Sequence, residues 1–142
     1  MSRTKKLLIL SLILLLKPLS AWSNADEGFY KALQSCTPYF TNGVVDVNNI
    51  VADYKSQIVG WEQDKCVYKK YVNLMGTQVC TTCRFNQTQI DEIVSVMQRY
   101  KTGYSATGEE IDIYNIEEIK KTPVISVWNK YFENSDVCKL EF

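Results

Sequence analysis

The chain has 142 residues, 46% hydrophobic and 23% charged, with 16 basic residues against 16 acidic ones. A balance of this kind offers no general electrostatic attraction for nucleic acid or an anionic membrane surface. There is no histidine, which excludes Ser-His-Asp and Cys-His catalysis, histidine-ligated zinc or haem, and imidazole acid–base chemistry.

Arg3, Lys5 and Lys6 precede a run from Leu7 to Leu16 in which Ser11 is the one polar residue, and Lys17-Pro18 interrupts it. A basic start, a short apolar core and a small-residue cleavage site make a secretory signal. The run is half of the roughly 20 apolar residues that a membrane span needs. Ser23-Asn24-Ala25 and Ala21-Trp22-Ser23 are both suitable cleavage sites, and the first is preferred. The expectation is a cleavable signal peptide at 1–25 and a single mature domain at 26–142, secreted or periplasmic, with no stable membrane insertion after cleavage. The first cysteine, Cys36, lies too far from the apolar run for a lipoprotein. Loss of Arg3, Lys5, Lys6 and Lys17 leaves 12 basic against 16 acidic residues, so nucleic acid is not an expected partner.

Asp26–Ser35 reads as a first helix, with Asp26 and Glu27 in the turn where the helix dipole favours acids. Phe29, Leu33 and Cys36 line one side of it. Thr37-Pro38 ends it, since the residue before proline leaves helical geometry. From Gly43 to Phe85 the pattern is β. Val44–Val47, Ile50–Tyr54, Gln57–Trp61, Cys66–Asn73 and Thr77–Phe85 are short runs rich in Val, Ile, Tyr and Trp, separated by turn-type segments. Connections this short join antiparallel neighbours.

Asn86 and Gln89 form a capping box for a helix carrying Ile90, Ile93, Val94 and Met97 at helical spacing, with Gly103 as a stop. Ser105–Tyr114 reads as a loop with an extended piece at Ile111–Ile113. Asn115 and Glu118 suggest a second capping box and a short helix to Lys121. Thr122-Pro123 starts a last helix whose buried stripe is Val124, Val127, Trp128, Tyr131 and Phe132. Val137–Phe142 alternates as a terminal strand would. The fold class is α+β: an antiparallel β-meander of about four strands with three to four helices packed on one face, stabilised by disulfides.

Five cysteines, in an exported small domain, should mostly pair and leave one over. If Asn73–Gly76 closes a two-residue hairpin loop, Cys66 faces Cys83 across the strands at a separation a disulfide can bridge. Tyr68, Val72, Val79 and Phe85 share their face, the more apolar of the two. Cys36 then pairs with Cys138, closing a loop worth about 4–5 kcal/mol in the loop-entropy description. Cys80 is left as the odd thiol beside Lys69 and Arg84. There it is either a reactive thiol, able to link two chains in a disulfide-bonded dimer, or a buried inert one.

Cys80-x-x-Cys83 has the spacing of a redox motif. On an extended strand, however, residues three apart lie roughly 10 Å from each other on opposite faces. A cysteine-only zinc site lacks its second C-x-x-C, and no metal or other cofactor is expected.

Glu109, Glu110, Asp112, Glu117 and Glu118 form an acidic cluster without the alternating-oxygen loop of an EF-hand, so a solvated face explains it better. Asn86-Gln87-Thr88 matches a glycosylation acceptor, but Asn86 is better read as a cap. Tyr39, Tyr71, Tyr104 and Tyr114 fall outside the core patterns and are candidates for a recognition surface. With no catalytic constellation, the expected role is a non-enzymatic binding or inhibitory module of the envelope or extracellular space, with a protein or small ligand as partner. The alternative is a thiol-reactive or thiol–disulfide redox protein using Cys80 and Cys83.

Overall fold

A computed structural model of the chain describes residues 22–47, 50–74, 76–100, 104–111 and 115–141. The expected signal run before residue 22, Asp112, Tyr114 and most of the extended piece at 111–113 lie outside the described residues. Helix α1, Trp22–Ser35, starts four residues before the expected Asp26 and runs through the expected cleavage position. Phe29 and Leu33, four apart on one face, are buried. The helix ends in a Schellman arrangement, with Thr37 N–H donating to the Ala32 carbonyl and Cys36 N–H to that of Leu33. Cys36 therefore holds the left-handed position, at φ 51°, that glycine ordinarily fills.

Five strands follow the meander order β1-β2-β3-β4-β5, every neighbour antiparallel. They are β1 Tyr39–Val47, β2 Ile50–Glu62, β3 Lys65–Leu74, β4 Thr77–Phe85 and β5 Cys138–Glu141. The five strands are close to the meander of about four that was expected. The first strand begins at Tyr39 rather than Val44, and 50–54 and 57–61 are parts of one continuous strand. Between β4 and β5 come α2 Gln87–Arg99, α3 Ile116–Ile119 and α4 Pro123–Phe132.

The helices cover one sheet face. Ile58, Cys66, Tyr68, Cys83 and Phe85 meet Phe29, Leu33, Ile90, Ile93, Val94 and Trp128 in a single core. Trp128 is its hub, with ring centroids of Phe29, Tyr68, Phe85 and Phe132 between 5.3 and 6.0 Å away. Rings at this spacing gain edge and offset contacts beyond area burial. Asn86 caps α2 as its sequence implies: its side chain accepts from Gln89 N–H at 2.8 Å, and Gln89 accepts from Asn86 N–H at 2.9 Å. Thr122 is the N-cap residue of α4, with proline at the start of the helix, but its hydroxyl donates back to the Ile119 carbonyl at 2.7 Å and makes no side-chain cap bond. Ile125, outside the expected stripe, is fully buried beside Val124.

The disulfide pairing expected from sequence is corrected. Cys36 bonds to Cys66 and Cys83 to Cys138, in place of Cys66–Cys83 and Cys36–Cys138. The cause is a two-residue shift in the β3–β4 register. Leu74 pairs with Thr77, so Cys66 lies opposite Phe85 and Cys83 opposite Tyr68. The shift is even, so every side chain keeps its face, and Tyr68, Val72, Val79 and Phe85 stay buried with the cysteines. Cys83 meets Cys138 directly across the next strand pair, Cα atoms 4.0 Å apart. Cys66 meets the end of α1.

Candidate functional site

Two rows of side chains issue from the same sheet, one inward and one outward. On the core face, Thr41, Ser56, Lys70 and Thr81 stand at one level across β1 to β4. Ser56, Lys70 and Thr81 are buried. The Ser56 and Tyr68 hydroxyls share a 3.1 Å hydrogen bond, and burial pushes the Tyr68 phenol well above the ordinary tyrosine range. The Lys70 ammonium sits 5.0 Å from the centre of the Tyr54 ring, at cation–π distance. The row is a polar seam between apolar halves of the core, a feature that the paired Lys69-Lys70 does not advertise in sequence.

The outward face differs in kind. No helix among the described residues packs on its central part, and Phe40, Val44 and Val51 are 57%, 51% and 58% exposed on it. A shallow groove of about 430 Å³ runs across this face, lined by Asn42, Val44, Asp53, Lys55, Tyr71, Asn73 and Gln78. The strand register explains the grouping. Asn42, Lys55 and Tyr71 are opposite neighbours on β1, β2 and β3, and Val44, Asp53, Asn73 and Gln78 form the next row across β1 to β4. Alternation then aims all of them outward. Gly43 sits between the two rows. Its missing side chain makes room for Tyr54, whose hydroxyl oxygen and two ring carbons lie 2.7–2.8 Å from where a Cβ would stand.

Of the four tyrosines singled out in the sequence, the three that are described do not form one surface. Tyr71 lines the groove. Tyr39 turns toward α1, edge-on to Phe29 at 6.3 Å. Tyr104 forms an isolated bridge with Glu110 in the loop after α2, and Tyr114 is outside the described residues. The sequence reading missed Asn42, Asp53, Lys55, Asn73 and Gln78. Starting the first strand at Val44 left Asn42 outside it, and the other four come together only through the strand register.

Cys80 is the cysteine without a disulfide, and it is half-buried on the outward side of β4. The register shift replaces its expected neighbour Lys69 by Tyr71, and Glu141 stands opposite on β5. Its sulfur lies 3.8 Å from the Thr82 hydroxyl. Arg84 is engaged elsewhere, donating to Glu62 at 2.8 Å. Cys83 points into the core on the opposite side of the strand and is already bonded to Cys138, so the C-x-x-C residues share no site. Glu109, Glu110, Glu117 and Glu118 are exposed. Among the described residues no group of His, Cys, Asp and Glu is arranged to hold a metal ion, and no helix is long and apolar enough to cross a membrane.

Compared with known proteins, the chain matches no family model, no curated protein and no solved structure.

Proposed function

We propose that the chain is an exported, disulfide-stapled binding domain without a reaction of its own, and that the outward sheet face is where it takes a protein partner. The observation that carries this reading is the composition of that face. Three exposed apolar side chains stand beside a groove of amide, carboxylate, ammonium and phenol groups. Protein interfaces combine an apolar centre, tyrosine and a polar rim in this manner. The support beneath is stiff. Two disulfides and the aromatic core hold the strands from the other side, so little side-chain or backbone freedom is lost on binding.

The test is site-specific photo-crosslinking in the exported fraction of the producing cells. The photoreactive residue is placed at Asn73 and Tyr71, both in the groove and away from the β1 edge, and, as a control on the helix side, at Gln98, which is exposed on α2. The expected result is one protein adduct of the same mass from Asn73 and Tyr71 and none from Gln98. Adducts from Gln98 alone would move the surface to the helices. No adduct at any position, together with turnover of a model disulfide that Cys80→Ser abolishes, would replace the binding domain by thiol chemistry.

A further inference from the structure

Strand β1 is an edge of the sheet, and it lacks the features that keep edges apart. The other edge, β5, is four residues long and carries Lys139 and Glu141. β1 is nine residues long, pairs with β2 without a bulge, contains no proline and no lysine, and bears Asp46 as its one charge. Among the described residues no strand pairs with its outer side. Short length, inserted charge, proline and bulges are the usual protection of such an edge, and a long apolar edge without them is a template for another strand. Three of the four exposed large apolar side chains among the described residues are at the same place: Phe40 and Val44 lie on β1 and Val51 on its neighbour β2, while Trp61 stands near the far end of β2.

We propose that β1 pairs antiparallel with β1 of a second copy of this chain about a two-fold axis at Asn42, joining two five-stranded sheets into one of ten. A two-fold interface must be self-complementary, and this register is. Phe40 of each copy opposes Val44 of the other, an aromatic–β-branched cross-strand pair of the favourable type. Asn42 opposes Asn42, where two amides can each donate and accept. Thr41 opposes Gly43, and Tyr39 opposes position 45, so seven residues of each strand are matched. Asp46 lies one position beyond the matched stretch, so the two Asp46 backbone positions fall at opposite ends of the pairing, about 27 Å apart at strand rise. That is well beyond the roughly 8–10 Å range of screened charge repulsion. The even register keeps both outward faces on one side, so pairing also doubles the width of the face that carries the groove. Self-pairing does not depend on what that face binds.

Sedimentation of the mature, oxidised chain between 1 and 200 µM tests the pairing, with two lysine substitutions at exposed positions that leave the core untouched. Wild type is expected to show a concentration-dependent dimer, Val44→Lys to weaken association at least tenfold, and Val51→Lys, one strand away from the edge, to change it less than threefold. Asn42→Cys in a Cys80→Ser background is expected to cross-link to itself under mild oxidation, since directly opposed strand residues lie within disulfide reach. A wild-type chain that stays monomeric at 200 µM overturns the proposal. Equal loss from both lysines points to stacking of faces and overturns it too. A dimer that Asn42→Cys does not trap rules out the register.

Discussion

Cys83 and Cys138 stand directly opposite one another on β4 and β5, and their bond ties the last four-residue strand to the sheet. Such a short edge strand has little else to hold it, so the bond is expected to matter most there. Removing the pair by Cys83→Ala with Cys138→Ala should cost about 4 kcal/mol, and removing Cys36–Cys66 slightly less, because the closed loop is shorter. Both are read by urea unfolding in a Cys80→Ser background, which prevents thiol exchange. Alkylation of the native, unreduced wild type should add one label, on Cys80. Peptide mapping that returned Cys66 joined to Cys83 would restore the hairpin register rejected above.

Trp128 touches four rings and is almost fully buried. Trp128→Ala is expected to destabilise the fold by about 3–5 kcal/mol, the range for a large aromatic removed from a packed core. Trp128→Phe should cost clearly less. The comparison of unfolding midpoints decides between a packing role and a role for the indole N–H.

The capping box gives a smaller effect with a local signature. Asn86→Ala removes the acceptor of the Gln89 N–H and should cost about 1 kcal/mol. Asn86→Asp should retain most of the stability, since a carboxylate caps as well and suits the positive end of the helix dipole. Amide exchange confined to the first turn of α2 would accelerate in the alanine variant.

Glu92 joins α2 to α4, accepting from Lys130 Nζ and from the Tyr131 hydroxyl, each at 2.6 Å. These two bonds, that of Lys130 first, hold its carboxyl below the ordinary carboxylate range. A carboxyl with a lowered folded pKa contributes stability that is present above its unfolded value, about 4.3, and is lost as pH falls through the folded value. Glu92→Gln should therefore lower Tm by roughly 2–4 °C near neutrality, a small effect because the pair is largely solvated. The difference from wild type should shrink as pH falls past the unfolded value and close below the lowered folded one. A difference that persisted in acid would assign the effect to packing instead of charge.

Much of this architecture is visible in residue order, for identifiable reasons. The α2 cap and its Ile90–Ile93–Val94 stripe are local, set by residues three and four apart, and local patterns survive translation into structure. The alternation through Cys66–Val72 and Val79–Phe85 places side chains on the correct faces because a period of two depends on no partner strand. Pairing is another matter. Whether Leu74 or Asn73 closes the hairpin moves Cys66 by two positions and rewrites both disulfides without disturbing a single face. The outward groove was hidden for a related reason: its residues come from four strands, and polar side chains that alternate outward look like any solvated strand until the register sets them side by side.

The two disulfides have a topological consequence. One closes residues 36–66 and the other residues 83–138, and the two rings do not overlap along the chain. Neither has to be threaded through or wait for the other, so a chain emerging N-terminus first can seal the β1–β2 half while the segment carrying α2 to β5 is still extended. Cys80 lies in the stretch between the rings, three residues before the start of the second. It is the thiol placed to capture Cys138 out of turn, and a chain lacking it would reach the two native bonds with one fewer competing route.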